Sequence, residues 1–199
     1  MAGKRDKKKR EVFDALYQSA LNLFDNKGYD AVTVYEITQE AGVAKGTFFN
    51  HFPAKADILA EWYRRLIADV MAASPADDKR PLAEATLELA RRTIGLTSSS
   101  PQLWQATTQL SPVTLSIQAV EAENDRAVRD HYISLAKQAV SRGDLPPDTD
   151  VNALGDLYLT LFTGTVRQCV VTGRQNEIMS DLKTRFVALA DMAARRGLP

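Results

Sequence analysis

The chain has 199 residues, 45% of them hydrophobic and 25% charged, which supplies a core and solubility and excludes the disordered, collagenous and low-complexity classes. No apolar run approaches the roughly 18 residues of a membrane-spanning helix, and no hydrophobic stretch follows the first basic cluster, so a cytoplasmic location and no membrane partner are expected. The 25 basic residues cancel the 25 acidic ones, and one cysteine with two histidines leaves little for a disulfide or a zinc site, so no metal or other cofactor is expected.

Charge is unevenly spread. Residues 1–10 form a basic N-terminal arm in which Lys4, Arg5, Lys7, Lys8, Lys9 and Arg10 face a single acid, Asp6. By itself such an arm suits either phosphate contacts or a solvated tail. Phe13, Leu16, Ala20, Leu23 and Phe24 then recur at helical spacing, and Lys27-Gly28 closes that first helix. Thr33-Val34-Tyr35-Glu36 reads as a capping box opening a second helix of about two turns, with Ile37 and Ala41 inward and Gly42 permitting a tight turn. Residues 45–51 form a short third helix burying Phe48 and Phe52, ended by Pro53.

A fourth helix is expected at 55–73, followed by a loop at 74–78. A fifth runs from Pro81 to about Leu96, and a short sixth carries Leu103, Trp104 and Thr107. Pro112 opens a long seventh helix ending at Arg142-Gly143. Asp150 caps an eighth over 151–172, and a ninth spans 176–195. Strand-like alternation is almost absent, so the fold class is all-α with nine helices and no internal repeat.

The second helix, the glycine turn and the short third helix have the layout of a helix-turn-helix, whose second member enters the major groove. The outward residues of that member are Lys45, Gly46, Thr47, Phe49, Asn50 and His51. Gly46 costs a helix roughly 1 kcal/mol relative to alanine, so close approach of the backbone to another surface is a reason to keep it. Thr33, Thr47, His51 and Lys55 suit phosphate oxygens, and the basic arm could track the backbone or enter a minor groove.

These stretches resemble the DNA-binding signature of the tetracycline-repressor (TetR) family of bacterial transcription regulators. The likeness lies in Ala20-Leu21-Asn22-Leu23-Phe24, Gly28 to Val34, Ile37, Ala41 to Phe49, and His51-Phe52-Pro53-Ala54-Lys55, within roughly the first 60 residues. The resemblance implies a nine-helix architecture: a helix-turn-helix DNA-binding domain at 11–54, then a ligand-binding and dimerisation domain at 55–199 joined through the helix at 55–73. It also implies a homodimer that reads a palindromic double-stranded operator and releases it when a small effector binds, most often as a repressor. Lys45, Gly46, Thr47 and Phe49 would face bases or the groove wall, and Thr33, Thr47, His51 and Lys55 the phosphates, with the outward Asn50 a further DNA-binding candidate. Two positions depart from the pattern. Ala44 stands where the family often has a hydroxyl cap, and Phe49 where tyrosine is common.

In the C-terminal half, helix eight is apolar almost all round and helix nine carries a further stripe, so the last two helices are expected to join two copies. Leu157, Leu161, Gly164, Val171, Leu182, Phe186 and Leu189 are the interface candidates. Trp62, Leu66, Trp104, Thr107, Leu110, Tyr132, Tyr158 and Phe162 are candidates for an effector pocket, and their mixture of rings with a few hydroxyls suits a largely apolar ligand. No enzymatic activity is expected. Neither histidine follows a glutamate by three residues, as di-iron sites require, and no nucleophile elbow, phosphate-binding glycine loop or HExxH motif occurs. A helical adaptor that binds protein without touching DNA is the alternative, distinguished by its lack of salt-dependent retention on DNA.

Overall fold

The computed structural model describes residues 3–74 and 77–196. Among them are nine α-helices and no strand: α1 Lys4–Lys27, α2 Val34–Glu40, α3 Lys45–Phe49, α4 Ala56–Ala73, α5 Leu82–Ser98, α6 Pro101–Leu110, α7 Leu115–Arg142, α8 Val151–Val171 and α9 Ile178–Arg196. The all-α, nine-helix expectation therefore holds. No described helix is long and apolar enough to cross a membrane. Pro112 lies in a 3₁₀ turn, Ser111–Val113, ahead of α7 rather than inside its first turn.

The basic arm differs from expectation in kind. Residues 4–10 are helical and prolong α1, with the Gly3 N–H donating to Asp6 Oδ2 at 3.3 Å. Lysine, arginine and glutamate are good helix formers, and Lys7 pairs with Glu11 at 3.9 Å one turn on. Met1 and Ala2 of the expected arm, and Pro75 and Ala76 of the expected loop, lie outside the described residues.

The chain divides into two compact units. The first holds the described residues of Met1–Arg65 with Thr97–Glu121, and the second those of Leu66–Leu96 with Ala122–Pro199. Helix α4 supplies residues to both. In the first unit Leu16, Ala20 and Phe24 of α1, Ile37 of α2, Phe48 of α3 and Ile58 and Leu59 of α4 are fully buried. Phe52, just past α3, stacks on Phe13 at 4.6 Å. Arg65 ties α4 to α1, lying 4.4 Å over the Tyr17 ring while bonding Glu61 at 2.7 Å and facing Asp14 at 3.5 Å.

In the second unit Tyr132 of α7, Tyr158 of α8 and Phe186 of α9 form a ring cluster with centroids 4.9–6.1 Å apart. That cluster explains a correction. Leu182, Phe186 and Leu189, expected between two copies, are buried in their own unit at 0, 0 and 7% exposure, because α9 spends its apolar stripe against α8 and α7. The polar side of the α8–α9 pair is braced by Arg185, which donates to Thr165 Oγ1 at 2.8 Å and Gln168 Oε1 at 3.1 Å.

Helix α8 packs on α7 through Gly155. A methyl group there would lie 2.4 Å from Ile133 Cγ1 and 3.4 Å from the Arg129 carbonyl. Gly155→Ala is accordingly expected to destabilise the chain by about 1–3 kcal/mol despite alanine's better helix propensity. A thermal melt followed by circular dichroism checks it; an unchanged or raised Tm would contradict this packing.

Candidate nucleic-acid interface

The local chemistry of α2 sets the site. Thr33 caps the helix by accepting from the Glu36 N–H at 3.2 Å, while the Thr33 N–H donates to Glu36 Oε2 at 2.9 Å, completing the expected capping box. Lys27 bonds Glu36 Oε1 at 2.9 Å, and these bonds hold the Glu36 carboxyl down at about 2. The same arrangement corrects the role expected of Thr33. Its hydroxyl donates to Glu36 Oε2 at 2.9 Å, so its proton is used inside the capping box and is not offered to a phosphate.

The turn after α2 closes as a Schellman motif. Gly42 has φ +68°, its N–H donates to the Gln39 carbonyl at 3.2 Å, and the Val43 N–H donates to that of Thr38 at 3.0 Å. Ala44 then begins α3 with no side-chain cap, as its identity implied. Phe48 is fully buried and fixes the rotation of this five-residue helix. Lys45, Gly46, Phe49 and Asn50 consequently point to solvent, with Phe49 52% exposed and nothing within 4 Å of a Cβ built on Gly46. Thr47 and His51 are half-buried.

Lys55 is placed differently from expectation. Its ammonium turns inward, donating to the carbonyls of Tyr29 and Val32 at 2.7 Å each and lying 4.0 Å over the Tyr29 ring. Burial lowers the Lys55 pKa, and Asp30 and Glu36 pull it back up. Beside it, burial and the charges of Asp30 and Asp57 push the Tyr29 phenol to about 12. Lys55 thus pins the loop between α1 and α2 to the start of α4 and does not reach outward toward a phosphate.

Two features escaped the sequence reading. Tyr35 is 60% exposed; its position two residues before the inward Ile37 was the available signal. The prolonged α1 also brings Lys9 and Arg10, one turn before Phe13, to a recess of about 280 Å³ lined by Asp6, Lys9, Arg10, Phe13 and His51.

The sequence profile described as bacterial regulatory proteins, tetR family, matches residues 16–62, which contain α2, α3 and their supports. That segment is of the TetR regulator type. Among relatives, the Transposon Tn10 TetC protein of Escherichia coli is 42% identical over 60 residues, 28% of this chain and 30% of that protein. The match thus spans under a third of the relative's length. Likeness of fold extends much further. A TetR-family regulator from Syntrophomonas wolfei has a TM-score of 0.69 over 92% of this chain and 96% of its own at 18% identity. FadR of Bacillus subtilis, solved with stearoyl-CoA, has one of 0.64 over 94% and 100% at 17% identity.

The residues expected to line an effector pocket divide between the units. Trp62, Trp104, Thr107 and Leu110 belong to the first, and Leu66, Tyr132, Tyr158 and Phe162 to the second. The Thr107 hydroxyl is satisfied by the Leu103 carbonyl at 2.8 Å, and Trp104 meets Tyr63 edge-on at 5.8 Å. Tyr132 and Tyr158 are brought together, 5.5 Å apart and fully buried, and neither hydroxyl has a hydrogen-bond partner among the described residues. The Thr86 hydroxyl that faces Tyr158 already donates to the Leu82 carbonyl at 2.9 Å. Burial pushes both phenols well above their ordinary pKa. No group of three or more His, Cys, Asp or Glu side chains able to hold a metal occurs among the described residues.

Proposed function

We propose that the chain is a dimeric, sequence-specific DNA-binding transcriptional regulator of the cytoplasm, a repressor released from a palindromic operator by a small, largely apolar effector. One observation carries this reading. Phe48 anchors α3 so that a small, donor-bearing tip, Lys45-Gly46 with Phe49 and Asn50, stands in solvent on a helix too short to need such a surface for its own fold. Selection of bound sequences from a random duplex pool tests it: a recovered palindrome is expected, and a pool with no enrichment would overturn it.

A second copy suits the face that α8 leaves open. Leu157 at 40% exposure, Leu161, Gly164 and Val171 at 78% exposure share one stripe at helical spacing, and a Cβ on Gly164 would meet nothing within 4 Å of its own chain. On α9 the exposed apolar residues are Val187 and Met192. Leu157→Glu with Leu161→Glu is expected to convert a particle of twice 22.0 kDa into a monomer and to weaken operator binding sharply, since two half-sites would no longer be engaged together. Light scattering decides; an unaltered dimer would move the interface elsewhere.

For the effector, the buried, unpartnered hydroxyls of Tyr132 and Tyr158 inside an aromatic cluster are suited to orient an acceptor group of an otherwise apolar molecule. Helix α4, common to both units, is the element through which binding there would alter the reader.

A further inference from the structure

The recess beside α3 is not explained by packing. Its walls are Lys9 and Arg10 on one face of α1, the Phe13 ring below them and the His51 ring, 6.2 Å from Phe13 between centroids. The fifth lining residue, Asp6, has its carboxylate on the Gly3 amide at 3.3 Å. Neither Lys9 nor Arg10 is paired with a carboxylate among the described residues. Two cations and an imidazole thus converge on an open concavity immediately after the reader helix, held by a continuous helix rather than a loose arm.

We propose that this recess receives one phosphodiester of the DNA backbone between Lys9, Arg10 and His51, and that His51 takes up a proton when it does. The proposal rests on the DNA-binding reading and adds to it a site and a pH dependence. In the free chain the charged groups facing His51 are those of α1. Asp6 is engaged with Gly3, while Lys9 repels a proton on the ring. Helix α3 carries one charge, Lys45. From α4, Arg65 lies beyond Phe13, 5.5 Å over that ring, and is neutralised by Glu61 and Asp14. Burial, and after it the Lys9 charge, lowers the His51 pKa, which favours the neutral ring at pH 7. A phosphate in the recess supplies the missing anion and favours the imidazolium, which donates from both nitrogens. The sign follows: a group whose pKa rises on binding strengthens binding as pH falls.

Phosphate contacts are independent of base sequence, so a random-sequence 30-base-pair duplex at low salt is a sufficient probe. With the full chain, affinity measured by fluorescence anisotropy is expected to be about three- to tenfold tighter at pH 5.5 than at pH 8. His51→Gln should remove that gain. The only other histidine in the sequence is His131, so His131→Gln is the control and should retain it. Lys9→Ala with Arg10→Ala should lower the salt slope by about one per chain and diminish the pH gain as well. Calorimetry at pH 6.5 in two buffers of different protonation enthalpy should register proton uptake in the wild type and not in His51→Gln. An equal pH gain in His51→Gln, folded as judged by circular dichroism, overturns the proposal while leaving DNA binding intact. Absence of DNA binding by the wild type at every pH overturns the DNA-binding reading itself.

Discussion

Gly46→Ala is expected to make the protein melt higher and bind DNA worse. Gly46 sits in the first turn of α3 with ordinary helical backbone, and an added methyl group would meet nothing within 4 Å. Within the chain the substitution therefore relieves a cost of roughly 1 kcal/mol in helix propensity, which raises Tm by about 2–4 °C for a chain of this size. If the tip lies against a groove wall, the same methyl group occupies space the duplex needs. Insertion into a packed contact costs roughly 1–3 kcal/mol, or about 5- to 150-fold in affinity. Opposite signs in the two measurements, a thermal melt and a titration with selected operator, would separate the fold's requirement from the function's. Retention of full affinity would remove Gly46 from the interface.

The second large effect concerns Lys55. Replacement by methionine keeps the apolar stem and deletes the ammonium that joins Tyr29 O, Val32 O and the Tyr29 ring. Charge-assisted bonds contribute roughly 1.5–3 kcal/mol each when well shielded; at this half-buried position solvent competes, and about 2 kcal/mol in total is expected. Tm should fall by roughly 4–8 °C, while the salt slope of DNA binding by the remaining folded protein should not change. The opposite pattern, an unaltered Tm with a slope reduced by about one, would return Lys55 to the phosphate contacts.

Lys55 also shows where sequence reading stops. Its charge and its position after Phe52-Pro53 suited an outward phosphate contact, and nothing local announced that the carbonyls of residues 29 and 32, more than twenty positions away, would converge on it. Local rules performed better. The Thr33–Glu36 box, the Gly42 turn and the inward Phe48 follow from interactions within a few residues, and each appears as expected. The assignment of Leu182, Phe186 and Leu189 to a surface between copies failed for a related reason. Periodicity identifies an apolar stripe but not which neighbour covers it, and here α7 and α8 do. In the arm, charge density alone does not reveal that the helix propensity of lysine and arginine carries α1 back to Lys4 and so forms the recess that Lys9 and Arg10 share with His51.

That helical continuation of α1 has a thermodynamic consequence. Ordering a flexible segment on a partner forfeits roughly 1–2 kcal/mol of backbone entropy per residue, and residues 4–10 are already ordered in the uncomplexed chain. Their cations would meet DNA pre-organised, so association would carry little of the heat-capacity signature of coupled folding, and residence time rather than a disorder-to-order step would distinguish good sites from poor ones.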